Sequence, residues 1–375
     1  MKTIVSYLLL TLGLTLTARG QANREEARRI DFPDVQGYQT LVTDLHTHTV
    51  FSDGSVWPDI RVQEAMRDGL DAVAITDHLE YQPHEDDIPH PDRNRSHEVA
   101  VDAAGDDDLL VIRGSEITRS MPPGHTNAIF LHDANPLLQD DPIAVFQEAK
   151  RQGAFIFWNH PMWTNQAPDG IAALSELHHR LIREGMLHGI EVVNEHTYSD
   201  EALQIALDHD LTIVGTSDIH GLIDWQHEVH YGGHRPVTLA FVRERSEAGL
   251  KEALMDGRTV VWYENLLIGK ADMLSPLIAA SLSVTEAAYQ GDSSVLTITL
   301  ANTSEAEFLL DNRSPYTFHS DADIVTVAPH TTTALEIKTT TRLSALDLTF
   351  EVLNAVVAPD QHPVVSFAIT VGDAE

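Results

Sequence analysis

The stretch LVTDLHTH, residues 41–48, joins an apolar, strand-like run to two histidines two positions apart. The same construction returns in AVAITDH (72–78), LLVIRGSE (109–116), FIFWNH (155–160) and LTIVGTSDIH (211–220). Each apolar run ends in a side chain that can hold a metal. Strand ends in an α/β fold face one common rim. The spacing therefore predicts that His46, His48, Asp53, His78, Glu116, His125, His160, Asp218 and His220 converge there. Such a set is enough for about two or three metal ions, and a multinuclear site points to hydrolysis more often than to structure.

Outward from these motifs, residues 41–263 alternate short apolar runs with helix-like segments. Strands are predicted at 41–46, 72–76, 109–113, 127–131, 154–158, 189–193, 212–216, 237–242 and 259–263, all rich in Val, Ile, Phe and Thr. Helices are predicted at 58–69, 200–209 and 246–256. The first repeats apolar residues at three-to-four spacing through Val62, Ala65, Met66 and Leu70. The second has Ser199 as N-cap with Asp200 and Glu201 in its first turn, and the third stops at Asp256-Gly257. This alternation argues a parallel α/β fold, and a barrel rather than an open sheet because so many strands supply ligands.

After about residue 270 the pattern becomes that of short alternating strands between turns, as in SVLTITLANTS and LDLTFEVLN. That is the signature of a small antiparallel β-sandwich. The expected division is 1–20, a secretory signal peptide; 21–36, a polar lead-in; 37–268, the barrel; and 275–375, the sandwich. The signal peptide rests on Lys2, an apolar run over residues 4–16 and the small-x-small pattern Ala18-Arg19-Gly20. The run is short for a membrane span. Cleavage after Gly20 would leave Gln21 first, which offers no lipoprotein cysteine, so a periplasmic or secreted protein without a membrane anchor is expected.

Composition narrows the chemistry. The formal charge of −33 repels polyanions, so nucleic acid is not an expected partner. The chain has no cysteine. Any metal must be held by imidazole and carboxylate, a donor set that suits Zn, Mn or Fe. A lone histidine at a strand end is more often a hydrogen-bonded core residue than a ligand. The ordered set carries the reading.

That set resembles the four motifs of the polymerase and histidinol phosphatase (PHP) superfamily. The motifs are His46-Thr47-His48 with Asp53, Thr76-Asp77-His78, Glu116 through His125 and His160, and Ser217-Asp218-Ile219-His220. The resemblance covers residues 40–265, and the C-terminal sandwich is similar to that of a secreted bacterial branch. It implies a distorted (β/α)7 barrel and a trinuclear metal centre. It also implies metal-dependent hydrolysis of a small phosphorylated substrate. One metal would take His46, His48, Glu116 and Asp218. A second would share Glu116 and add His125 and His160. A third would take Asp53, His78 and His220. A water shared by two such ions becomes hydroxide near neutral pH and would attack phosphorus in line. Glu116 and Asp218 are then catalytic as well as ligating.

Arg119, between Glu116 and His125, is the expected phosphate clamp. Arg93 and Arg95 form a basic island in an acidic loop, and Trp163 is a candidate pocket wall. Asp77 is expected to orient neighbours rather than to ligate. His178 and His179 are adjacent on a helix and diverge too far to share an ion. His227, His230 and His234 follow the last motif in a Gly-rich loop, and His319 and His330 are isolated in the sandwich. Two other readings stand beside phosphoester hydrolysis. One is hydrolysis of an amide, lactone or glycan linkage by the same metals; the other is a non-catalytic binding protein.

Overall fold

The computed structural model describes residues 30–371. The expected signal peptide lies outside the described residues, as does the lead-in up to residue 29. Eleven strands build the first region: β1 (Gln39–Asp44), β2 (Ala72–Ile75), β3 (Leu110–Ile117), β4 (Thr126–Ile129), β5 (Phe155–Trp158), β6 (Gly189–Asn194), β7 (Thr197–Tyr198), β8 (Thr212–Thr216), β9 (Val237–Val242), β10 (Thr259–Tyr263) and β11 (Leu266–Gly269). The mixed sheet curls in the order β11-β10-β9-β1-β2-β3-β4-β5-β6, and β8 pairs with β6. Most of these strands are buried along their whole length, which is why they read as continuous apolar runs.

Strand direction differs from the expectation of a parallel sheet. β1-β2-β3 and β5-β6-β8 are parallel, but β4 and β9 run against both of their neighbours. The links explain part of this. Only residues 118–125 join β3 to β4, and only 264–265 join β10 to β11, both too short for a crossover. The curl is completed through threonine side chains. Thr238 Oγ1 donates to Gly215 O (2.8 Å) and accepts from Gly215 N (3.0 Å), while Thr259 Oγ1 donates to Ile213 O (2.7 Å). β8 approaches β10 so closely here that a Cβ on Gly215 would lie 2.3 Å from Val261 Cγ1.

The predicted helices form at Pro58–Arg67, Asp200–Asp208 and Glu247–Met255. Ser199 Oγ accepts from Ala202 N at 3.1 Å, and Ser246 caps the third helix in the same way. The helix Ala271–Ser281 was not foreseen. Pro276 inside it argues against a helix from sequence, because proline removes a backbone donor. Burial of Leu274, Leu277 and Ile278 overrides that cost.

The second region holds β12 (Leu282–Tyr289), β13 (Val295–Asn302), β14 (Phe308–Asn312), β15 (Thr317–Phe318), β16 (Ile324–Val327), β17 (Thr332–Lys338), β18 (Ala345–Val352), β19 (Ala355–Val356) and β20 (Val364–Thr370). Two antiparallel sheets, β12-β13-β17-β15 and β16-β14-β18-β20, face each other. Their burial alternates residue by residue along β13 and β18, as a sandwich requires.

The two regions are stitched together. β19 pairs in parallel with β11 of the curled sheet. Asn354, 4% exposed, donates to Asn265 O (2.8 Å) and Glu307 O (2.6 Å) and accepts from Leu309 N (2.9 Å). One apolar cluster runs from Trp262 and Leu274 through to Leu300 and Phe308. The lead-in joins it, contrary to the purely polar expectation. Ile30, Phe32 and Val35 are buried, and Phe32 meets Trp262 edge-on at 5.2 Å. Three apolar residues in a charged stretch are a weak sequence signal, yet a large partner surface makes their burial favourable.

Candidate metal centre

His46 and His48 lie just beyond β1. Thr47, between them, is fixed by donating from its N to Thr76 Oγ1 (2.9 Å) and from its Oγ1 to Ala74 O (2.7 Å). That keeps the chain extended, so the flanking imidazoles share one side. Their Nε2 atoms are 3.0 Å apart, and Asp218 Oδ1 lies 3.1 and 2.9 Å from them. Donors about 3 Å apart suit a common ion with ligand bonds of roughly 2.0–2.2 Å. Glu116 adds oxygens at 3.7 and 3.6 Å from the same two nitrogens.

Glu116 is the hub. It lies 2.6 Å from His78 Nδ1, 3.0 Å from His125 Nδ1 and 3.4 Å from His160 Nε2, in addition to His46 and His48. Asp53 Oδ1 gathers His220 Nε2 at 3.2 Å, His78 Nε2 at 3.4 Å and His48 Nδ1 at 3.8 Å. All nine residues thus meet in one cluster: Asp53, His78, Glu116, His125, His160, Asp218 and His220 line a cavity of about 170 Å³, and His46 and His48 sit behind Glu116 and Asp218. The groupings of donor atoms differ in two respects from the partition that the resemblance implies for the second and third ions. His78, rather than His160, closes a group with Glu116 and His125, and His48 joins the group around Asp53.

The donor set fits divalent cations. Asp53 Oδ1, Glu116 Oε2 and Asp218 Oδ1 are buried and face only imidazole nitrogens, without a well-formed hydrogen bond, which is costly for carboxylate oxygens unless a cation faces them. The backbone is bent to present them. His160 and Asp218 have φ of 30° and 49°, a region that non-glycine residues occupy at a cost of about 1–3 kcal/mol.

Electrostatics within the cluster follow from its packing. Burial drives the His48 ring down to about 4, and the neighbouring rings of His220 and His78 add to the effect. Burial also opposes charge on His78, but Glu116 and Asp53 outweigh it and lift that ring to about 10. His220 rises to about 8 because Asp53 and Asp218 overcome the same burial. For Glu116 and Asp218 burial favours the neutral form. The imidazoles around them win and hold both carboxyls below the ordinary range.

A layer of supporting residues fixes the ligands, and the chief of these was not foreseen. Glu191, fully buried in β6, takes His46 Nδ1 at 2.8 Å and Thr216 Oγ1 at 2.6 Å on one oxygen. Its other oxygen accepts from His160 N (2.6 Å) and Asn194 Nδ2 (2.9 Å). A carboxyl at Nδ1 places the proton there and leaves Nε2 free to ligate. The only sequence signal was a charged residue inside the run GIEVVN. Asn159 Nδ2 donates to Glu116 Oε1 at 2.9 Å. Asp77 accepts from Thr49 N (2.7 Å) and Ser52 Oγ (2.8 Å), and so shapes the loop that carries Asp53, a supporting role as expected.

Arg119 is a correction. Its Nε pairs with Glu80 at 2.8 Å and its terminal nitrogens face Gln139 O and Asp140 O. The guanidinium is committed to that loop and lines neither the ligand cavity nor its neighbour, so it is not placed to clamp phosphate. Glu80 and the 139–140 carbonyls capture it because they offer several acceptors in one place. Arg93 is likewise spent on Leu79 O and Gln82 Oε1, both at 2.9 Å, and Arg95 pairs with Glu98. His178 stacks on Trp158 at 4.1 Å inside the core, far from any ligand role. His227 and His234 line a separate cavity with His196, and His330 pairs with Glu305.

Residues 44–225 match the PHP domain, and residues 282–368 match an Ig-like domain. A two-domain protein from Bacteroides vulgatus, described as containing a predicted PHP-like metal-dependent phosphoesterase, is 42% identical. Its crystal structure superposes with a TM-score of 0.85, over 91% of this chain and 98% of that one. PsfC from Pseudomonas syringae is 16% identical with a TM-score of 0.43, over 64% of this chain and 96% of its own. An amidohydrolase from Chromobacterium violaceum, solved with sulfate and no metal, is 17% identical with a TM-score of 0.35, over 48% and 87%. No curated protein sequence matches significantly. The chain belongs to the PHP family, with an Ig-like domain behind its metal-ligand-bearing domain.

Proposed function

We propose that the protein is a secreted, metal-dependent phosphoesterase that hydrolyses a small phosphate mono- or diester at a centre of three divalent ions. One observation carries this reading: nine imidazole and carboxylate side chains converge in one cluster, seven of them lining a single cavity and His46 and His48 closing it behind Glu116 and Asp218. Likeness to the Bacteroides vulgatus protein supports it. His46, His48, Glu116 and Asp218 would hold one ion. Glu116 with His125 and His160 would hold a second, and Asp53, His78 and His220 a third. Ions bound there would supply Lewis acidity and would lower the pKa of a water toward neutrality.

The chain's own residues set the stage. Glu116 reaches five imidazoles, which makes it the natural shared ligand. Glu191 and Asn159 hold His46, His160 and Glu116 in place, so little reorganisation is needed when charge grows on the substrate. Export rests on the pattern at residues 1–20. Mass spectrometry of the exported protein should find Gln21 first; retention of residues 1–20 on exported material would refute cleavage.

A second reading, hydrolysis of a non-phosphate bond, draws on one feature: neither Lys nor Arg lines the ligand cavity. The Mn- or Zn-loaded protein should be assayed with p-nitrophenyl phosphate, its bis-ester and p-nitrophenyl acetate. Turnover of the phosphates supports the first reading. Turnover of the acetate with both phosphates inert establishes the second.

A further inference from the structure

The ligand cavity does not stand alone. A larger cavity of about 450 Å³ adjoins it and shares His160, Trp163, Asn194 and Glu195. Space of that size accommodates a small organic ligand. A group esterified to phosphate at the metal cluster has this cavity as its neighbouring room.

Its wall chemistry is one-sided. No Lys or Arg lines it, whereas Glu195, Asp200 and Glu201 do. Asp200 and Glu201 also occupy the first turn of their helix, where negative charge is favoured in any case. Glu195 has no such use. It sits at φ 51° in the turn between β6 and β7 and lines both cavities. A second anionic group on the substrate would face these carboxylates with no cationic side chain to offset them.

The aromatic side chains supply an independent observation. The exposed aromatics among the described residues are Trp57, Tyr81, Trp163, Trp225 and Tyr231. All five lie in segments that follow ligand-bearing strand ends: after β1, β2 and β5 and, for the last two, in the short helices after β8. The sandwich exposes none. Trp163 walls both cavities, its ring 5.1 Å from that of His160 and 5.6 Å from that of His125. An exposed ring face beside carboxylates suits a sugar. The ring covers the C–H face, and the carboxylates accept from hydroxyls through charge-assisted bonds.

We propose that this larger cavity receives an uncharged, hydroxyl-rich leaving group of monosaccharide size, and that the enzyme selects phosphate esters of neutral carbohydrates over those bearing a second anion. The proposal rests on the phosphoesterase reading. In the reaction, water adds its oxygen to phosphorus and the bond from phosphorus to the sugar oxygen breaks. That oxygen leaves with the electron pair and takes up a proton.

The test compares kcat/KM of the metal-loaded full chain on glucose 1-phosphate, glucose 1,6-bisphosphate, glucuronic acid 1-phosphate and phosphocholine. Glucose 1-phosphate should exceed each of the two doubly anionic compounds by about tenfold or more, and Glu195→Gln should narrow that gap. It should also exceed phosphocholine. Equal or faster turnover of the anionic pair overturns the proposal, and so does a lead for phosphocholine. If no phosphate ester is hydrolysed, the phosphoesterase reading fails, and the cavity is then judged by binding alone. Saturation-transfer NMR should show glucose binding to the full chain with a Kd of roughly millimolar order, weakened about tenfold in Trp163→Ala. Absence of saturable binding, or binding indifferent to Trp163→Ala, overturns the assignment.

Discussion

The two halves of this chain bury different things. In the sandwich, the buried polar residues of β13 through β20 and their loops are Asn302, Ser304, Thr339 and Asn354, all uncharged and hydrogen-bonded. The PHP domain buries His46, His48, His78, Glu116, His160, Glu191 and Asp218 within one cluster, plus an Asp44–Arg235–Asp68 network beneath it. Burying charge is expensive unless it is paired or faces a cation. A fold that needs only to persist avoids it, as the sandwich does. Where one chain tolerates it in one half alone, that half holds the chemistry.

The contrast can be broken or sharpened by experiment, and the largest effect belongs to the cluster. His48→Ala should lower kcat by orders of magnitude and reduce bound metal in elemental analysis, with little change in melting of the sandwich. Ordinary turnover in that variant contradicts the assignment. In the other half, Leu348→Ala should cost about 2–5 kcal/mol of stability by denaturant titration, because Leu348 is fully buried in an apolar core. Metal content of the folded variant should stay at the parent level.

Acid should separate the halves next. Burial lowers the His178 ring to about 4, with His179 adding to it. The folded value lies below the unfolded 6.5, so stability is intact above pH 6.5 and is lost as pH falls toward 4, by roughly 3 kcal/mol. The sandwich buries no histidine among the described residues. Tryptophan fluorescence at Trp158, on which His178 stacks, should report acid loosening before the sandwich yields. Simultaneous loss would show that the two regions melt as one unit.

A smaller effect concerns support rather than ligation. Glu191→Gln should weaken metal affinity or activity by about 10–100-fold, since it removes the carboxyl that fixes His46 and His160. An unchanged metal titration would show that Glu191 serves packing alone. The smallest expected effect is at Arg119. Its guanidinium is tied to Glu80 and lines neither cavity, so Arg119→Ala should leave KM for a phosphate ester within about twofold. A large rise in KM would restore it as a substrate contact.

Most of the ligands were legible in sequence because they end or closely follow a strand, and period-two geometry makes residues such as His46 and His48 share a side; Asp53, in the loop after β1, and His125, just before β4, were legible only as part of the ordered set. The sandwich was legible because its strands alternate apolar and polar residues. Four features were hidden for physical reasons. The helix Ala271–Ser281 contains Pro276, and only its buried face, seen in three dimensions, outweighs that signal. Glu191 looks like any charged residue until β6 is placed beside β8 and His46. Arg119 is close in sequence to two ligands, yet side-chain reach and the acceptors around Glu80 decide where its charge goes. The antiparallel placement of β4 and β9 was also invisible, since a fully buried strand reads alike in either direction.

Anomalous diffraction from crystals grown with Mn, Fe or Zn, recorded at each metal edge, tests the central claim most directly. The account predicts separate peaks inside the ring formed by His46, Asp53, Glu116, His125 and Asp218, with Glu116 bonded to more than one of them. Peaks only at the protein surface, or an empty ring in metal-saturated crystals, would contradict it.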